Sequence, residues 1–295
     1  MKETTGVLIA LLSSALGGGA AVATRFLVAD FDPITLAMVR FGGGALLLIP
    51  VALLLRPKLP PRPDWPAAAL LGFLFYGVFF VVYVVALTYT TVARGTLALS
   101  TLPLMTMVVG AVLGLEKLSA RKTFGVLVAM GGVAVALSAS LAAAPEGAWR
   151  GDLIMAAGTV CMALYNVYSR PYTQRSSPLG FLTFSMVAGG GALIAIGLAT
   201  ARVPLLLQFD TAQALAGLYL AAGGGAFGFF LWVVALKYAS PTRVANTITI
   251  NPLIAMAFGA ALLGEAVTWP LILGLVAVCA GVFIATTNSR PAART

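Results

Sequence analysis

With 295 residues, 60% of them hydrophobic and only 9% charged, the chain would leave a soluble fold almost without a polar exterior. A soluble enzyme or binding module is thereby excluded, and a polytopic membrane protein is defined. The formal charge of +9 would suggest nucleic acid in a soluble protein; here the cations follow the membrane pattern set out below, and no nucleic-acid partner is expected.

A membrane span needs about 20 mostly apolar residues. Ten such runs follow one another, near 6–24, 33–55, 66–88, 93–115, 123–140, 152–169, 179–200, 212–235, 241–263 and 270–287. The expected fold is all-α with ten transmembrane helices. In the first run, Lys2 and Ala21-Val22-Ala23 imitate a signal peptide. The run is long for a signal core, and an offset of 145 lays Thr24-Arg25 over Ser169-Arg170 of a retained helix, so cleavage is not expected. Its Ser13, Ser14 and Gly17 to Gly19 are the polar and small residues that membrane helices use for local backbone bonds or helix contacts.

The second run holds Arg40, seven residues past Pro33, or about 10 Å of helical rise. Intramembrane charges face the protein interior, which makes Arg40 a carboxylate anchor or gating ion pair. The competing reading is a structural arginine near the outer surface, bonding helix-end carbonyls or pairing with Asp30 or Asp32; its depth favours that second reading. In the third run Tyr76, Phe79, Phe80 and Tyr83 recur at helical spacing. Lipid contact or helix packing would suit such a stripe, yet its two hydroxyls want partners when buried, so Tyr76, Phe79 and Tyr83 are candidate substrate contacts. Their equivalents in the eighth run are Gly225, Gly228, Phe229 and Trp232, which leave space beside Trp232 for an apolar or aromatic group. The sixth run offers Cys161, Tyr165 and Tyr168 on one stripe with Asn166 beside it. Tyr165 is a candidate, while Asn166 falls near the cytoplasmic end, where water could meet it.

The fourth and ninth runs carry the helix breaks Pro103 and Pro252. Pro252 removes a backbone donor and leaves the Ile248 carbonyl without its helical partner. Within hydrocarbon such a break is tolerated only where protein, water or a ligand satisfies it, so this segment should line a polar cavity. Asn246, Thr249 and Asn251 cluster at that break, whereas their counterparts Leu97, Ser100 and Leu102 are less polar, so polar substrate groups should be read by the second half.

Those counterparts come from a duplication. An offset of 149 lays Ala93 to Leu115 over Thr242 to Gly264, with Arg94 on Arg243, Pro103 on Pro252 and Glu116 on Glu265, and 16 of 50 positions from Val84 to Val133 are identical. Five spans per copy make the second copy enter from the opposite side, an inverted repeat, with units at 1–145 and 146–290 and a tail at 291–295. With both termini in the cytoplasm, 13 Lys and Arg lie inside and four outside, the asymmetry expected of an inner-membrane protein.

The chemistry is constrained by what is missing. There is no histidine, and all nine acids fall at span ends or in loops, which favours facilitated diffusion or exchange over proton coupling. No Gly-rich phosphate loop with its lysine appears. Cys161 and Cys279 lie inside spans and suggest neither a disulfide nor a metal site, and no cofactor is expected.

Ten spans in two halves, Arg40-Phe41 in the second span, the Pro-Leu steps at Pro103 and Pro252, and Glu116 and Glu265 closing the fourth and ninth resemble the EamA-type branch of the drug/metabolite transporter superfamily, its YddG-like aromatic amino-acid exporters in particular. The resemblance implies bacterial inner-membrane export of small metabolites, by alternating access, through a cavity between the halves lined mainly by helices 1, 3, 4, 6, 8 and 9; a monomer would suffice. Two other functions compete. A membrane-embedded enzyme lacks paired carboxylates, His/Cys ligands or a nucleophile with its base at mid-depth. A scaffold or sensor gives no reason for two symmetry-related polar breaks.

Overall fold

The computed structural model describes residues 3–28, 30–89, 99, 101–115, 119–136, 147–251, 253–254, 257–258 and 269–286, which are all-helical with no strand among them. In chain order the helices are α1 (Glu3–Leu27), α2 (Pro33–Leu55), α3 (65–89), α4 (Leu102–Val112), α5 (Ala120–Ala136), α6 (Ala148–Arg175), α7 (Pro178–Ala199), α8 (Thr211–Tyr238), α9 (241–250) and α10 (Trp269–Thr286). Of these, α1, α2, α3, α7 and α8 contain runs long and apolar enough to cross a membrane.

Local chemistry sets where the helices begin. Asp32 caps α2, accepting from the Ile34 and Thr35 amides at 3.0 and 3.4 Å, with Pro33 preset for the first turn. Ser177-Pro178 repeats the device on α7, the cap hydroxyl accepting from the Gly180 amide at 3.0 Å. Asp210 and Gln213 close a reciprocal capping box on α8.

The two halves pack by equivalent partners. Helix α1 lies against α8 and its counterpart α6 against α3; α2 pairs with α7, α4 with α9, and α5 with α10. The α5 and α10 pair runs antiparallel: Gly125 faces Ala285, Gly132 faces Val278 and Gly281 faces Ala129, and a Cβ on any of the three glycines would strike the opposing backbone. Helices α2 and α7 are also antiparallel, Met38 lying against Gly197 and Gly44 against Met186. Gly72 on α3 and Gly189 on α7 let those backbones touch, each occupying space a Cβ would need.

Each end of the bundle is tied across the halves. At one end Arg175 pairs with Asp64 at 3.0 Å, the Ser177 amide donates to the Lys58 carbonyl at 2.9 Å, and Arg243 pairs with Glu3. At the other end Arg202 donates to Asp32 at 2.9 Å, Gln213 to Asp30 at 2.8 Å, and Phe31 packs on Phe209.

Three helices depart from α geometry at one level of the bundle. Residues Met38–Gly42 of α2, Phe73–Phe79 of α3 and Tyr219–Phe227 of α8 are π-helical, a wider turn that recurs at functional sites in proteins generally. In α9, Thr247–Ile250 tightens into a 3-10 turn. The Ile248 carbonyl, expected to be left without a partner by Pro252, instead accepts from the Asn251 amide, because the tighter turn brings a nearer donor to it; Pro252 itself, Glu116 and Glu265 lie outside the described residues.

Candidate functional site

A cavity of about 90 Å³ sits where the three π-helical segments meet. Helix α1 gives Ser13, Ser14, Gly17, Ala21 and Thr24, a stripe running from mid-helix toward the end that carries Asp30 and Asp32. Helix α2 gives Arg40 and Phe41; α3 gives Phe75, Phe79, Phe80 and Tyr83; α8 gives Gly224, Gly228, Phe229 and Trp232. Ile248 and Asn251 close the α9 side. Both halves therefore wall one space, which is predominantly aromatic with a few polar groups.

The sequence-derived candidates divide around this cavity. Arg40, Phe79, Tyr83, Trp232 and Asn251 line it. Tyr76 and Tyr165 are not lining residues: both are fully buried, and their hydroxyls bond one another at 2.7 Å across the halves. The lining stripe on α3 starts at Phe75, which shares a face with Phe79 and Tyr83 at i, i+4 and i+8, while Tyr76 beside it turns to Tyr165 of α6. Asn246 and Thr249 are likewise wholly buried off the cavity; the Thr249 hydroxyl donates to the Asn246 carbonyl at 2.7 Å. Pro103 is buried in the first turn of α4 rather than turned outward.

The indole nitrogen of Trp232 donates to Asn166 Oδ1 at 2.9 Å. Asn166 thus meets a buried partner, not the cytoplasmic water the sequence suggested, because α6 runs on to Arg175 and keeps this residue inside the bundle. Ser13 donates to the Gly228 carbonyl at 2.7 Å and Ser14 shares a 2.9 Å bond with Thr247, so these two serines join helices at the cavity wall. Around the rings, Phe75 stacks on Tyr165 at 4.4 Å, and Phe229 meets Phe41, Phe75 and Tyr76 at 5.6, 5.3 and 5.4 Å. Such pairs contribute about 0.5–1.5 kcal/mol each beyond their area and make the floor rigid.

Arg40 is the site's one charge among the described lining residues. Neither Asp30 nor Asp32 reaches it: the first accepts from Gln213 and the second is held by Arg202 and Thr35. The helix capped by Asp32 directs that carboxylate to its own first turn, while Arg40, two turns on, points inward. Its carbon Cζ lies 5.0, 5.2 and 5.9 Å from the Phe80, Phe41 and Phe229 ring centres, and Nη2 donates to the Gly224 carbonyl at a long 3.4 Å. Ring faces stabilise a desolvated cation by roughly 0.5–2 kcal/mol each but accept poorly from N–H groups, and Nε has no partner among the described residues.

Toward the end of the bundle that carries Glu3 and Arg243, the cavity is sealed by the Tyr76–Tyr165 and Trp232–Asn166 bonds. Below them runs a buried polar seam between α4, α6 and α9. Thr106 Oγ1, Asn166 Nδ2 and both side-chain polar atoms of Asn246 lack hydrogen-bond partners among the described residues. Among the described residues no group of His, Cys, Asp and Glu could hold a metal ion.

Phe41, Phe75 and the α1 serines were not assigned as site residues from the sequence. Phe41 was visible only as a neighbour of Arg40, whereas Phe75 stands four and eight residues before Phe79 and Tyr83, a helical spacing that could have found it.

Two matching sets of helices enclosing one cavity define a polytopic membrane transporter for small solutes. The EamA-like transporter family model matches the chain twice, over residues 4–138 and 149–287, and the chain belongs to that family. The uncharacterized transporter YyaM of Bacillus subtilis is 24% identical over 289 residues, covering 97% of this chain and 94% of its own. A Salmonella typhimurium protein named as a probable amino-acid metabolite efflux pump is 26% identical over 241 residues, 76% of this chain and 78% of its own. The uncharacterized inner membrane transporter YedA of Escherichia coli is 28% identical over 247 residues, 82% and 77% of the two chains. A solved crystal structure shares the fold at a TM-score of 0.78 with 20% identity, covering 99% of this chain and 100% of that one. Family and relatives alike describe a transporter rather than an enzyme.

Proposed function

We propose that the protein is a bacterial inner-membrane carrier that exports small metabolites, aromatic or other apolar amino acids first, by alternating access between two inverted five-helix repeats. The observation that carries this reading is a cavity walled by both repeats, rich in aromatic rings and sealed on one side only by side-chain contacts. Ten spans with both termini in the cytoplasm follow from the hydropathy and the cation distribution. The antiparallel pairing of the repeat-equivalent helices α5 with α10 and α2 with α7 supports the inversion.

In this scheme Phe79, Tyr83, Trp232 and Asn251 contact the solute, and Tyr76 with Tyr165 forms the floor. Asn246 and Thr249 belong to the closed route beneath. Buried polar side chains between α4, α6 and α9 offer hydrogen-bonding groups to a passing solute that an apolar wall would lack. That favours the seam as the cytoplasmic half of the path in the alternate state. The amino-acid assignment draws on the Salmonella relative's name and on the aromatic lining. Transport is facilitative or by exchange, with Arg40, Pro103 and Pro252 at the moving junctions.

Counterflow in liposomes reconstituted with the purified chain tests the reading. Saturable exchange of labelled phenylalanine, or of another apolar amino acid that competes with it, is expected. Flux no greater than in protein-free liposomes across all twenty amino acids would overturn it.

A further inference from the structure

The polar atoms of the cavity are not matched to one another. Arg40 carries five N–H donors, of which, among the described residues, one is used in a long bond to Gly224; its Nε is buried with no partner among those residues, and three phenylalanine rings surround the cation. Asn251 lines the same space with an acceptor, Oδ1, that has no partner among the described residues. Helix α1 sets their relative levels: Gly17 lies against the Asn251 amide and Ala20 against Gly224, the residue that Arg40 touches. Three residues of helix separate those levels, about 4.5 Å of rise.

From this geometry we propose that Arg40 is the anion anchor of the cavity, and that the solute carried is a carboxylate on an apolar or aromatic body whose own N–H group meets Asn251. The proposal rests on the carrier reading above and adds to it which end of the solute is recognised. A guanidinium presents paired donors that match a carboxylate's two oxygens. Desolvated between rings and without a carboxylate of its own among the described residues, it binds an anion with little competition from water or protein. Phe75, Phe79 and Trp232 then face the solute's apolar body. Amines, amides and esters of the same body present no anion and are excluded.

The test compares phenylalanine, phenylacetate, phenylalanine amide and phenethylamine on the wild-type protein. It uses thermal stabilisation of the purified chain and competition in liposome counterflow. The two carboxylates are expected to bind at least about tenfold more tightly than the amide and the amine. Arg40→Gln should erase that difference, while Arg40→Lys, which keeps charge but loses the fork, should retain part of it. Comparing solutes on the wild-type chain needs no variant to fold. Equal stabilisation by phenylalanine and its amide overturns the anchor even if flux is saturable. Selective stabilisation by carboxylates without flux supports the anchor and overturns the carrier reading. No stabilisation by phenylacetate or by any of the twenty amino acids overturns the anchor.

Discussion

Tyr76 of one repeat and Tyr165 of the other share a hydroxyl bond of 2.7 Å beside the cavity, and both side chains are fully buried. A bond placed there adds a tie between the halves next to the cavity to those at the two ends of the bundle. Removing one hydroxyl in Tyr76→Phe leaves the other buried with a poorer partner, an effect of about 1–3 kcal/mol on the closed state. A shift of that size raises the open population roughly 5- to 150-fold. Labelling of an Asn246→Cys reporter by a membrane-impermeant maleimide from the cytoplasmic side should accelerate accordingly in Tyr76→Phe. Equal labelling rates with and without the hydroxyl would remove this pair from the gate.

Trp232 combines a cavity-facing ring with an indole N–H that Asn166 accepts at 2.9 Å. Trp232→Phe keeps an aromatic ring but strands the Asn166 oxygen, and the melting temperature should fall by an amount equivalent to about 1–3 kcal/mol. A double change with Asn166→Leu should recover part of that loss, since it removes the stranded acceptor. Additive effects of the two substitutions would show that the bond does not couple these residues.

Close helix contact separates two kinds of glycine. Gly189→Ala places a Cβ against the Gly72 carbonyl and the Tyr76 side chain, so α3 and α7 must part and stability should drop by about 1–3 kcal/mol. Gly131→Ala on α5 meets nothing and should be neutral or stabilising by up to about 1 kcal/mol, as helix propensity favours alanine. Thermal unfolding in detergent compares the two. A neutral Gly189→Ala would mean that the α3–α7 approach contributes little.

Asp32 gives a pH dependence whose sign is set by its partners. Partial burial pushes its carboxyl upward, but the Thr35 hydroxyl, Arg202 and the Thr35 and Ile34 amides outweigh that and hold it below the ordinary carboxylate value. Its contribution is therefore complete above the unfolded value of about 3.9 and is lost as pH falls through the lower folded value. Thermal stability should be flat in this respect from pH 7 to 5 and should decline only below about pH 4. Asp32→Asn keeps the helix cap and loses the ion pair, which at a half-exposed site contributes about 0–1 kcal/mol; its decline at low pH should be shallower. The same slope in both proteins would assign the acid transition to other groups.

Asn251→Ala removes the acceptor at the α9 wall. Counterflow should weaken at least about fivefold with the melting temperature unchanged, and unaltered kinetics would take Asn251 out of the site.

The membrane class, the apolar helices and the duplication were legible in the chain itself, because hydropathy and repeat register are one-dimensional and survive without knowledge of neighbours. Arg40, Phe79, Tyr83, Trp232 and Asn251 could be nominated on the same grounds, since an odd charge, ring or amide in an apolar run stands out locally. Their grouping could not. That Tyr76 turns away from the cavity depends on its bond to Tyr165 of α6, and that Asp32 binds Arg202 and leaves Arg40 without a carboxylate depends on how α7 and α8 dock. Those outcomes belong to the tertiary structure, because each is set by contacts between residues 89 to 184 positions apart along the chain.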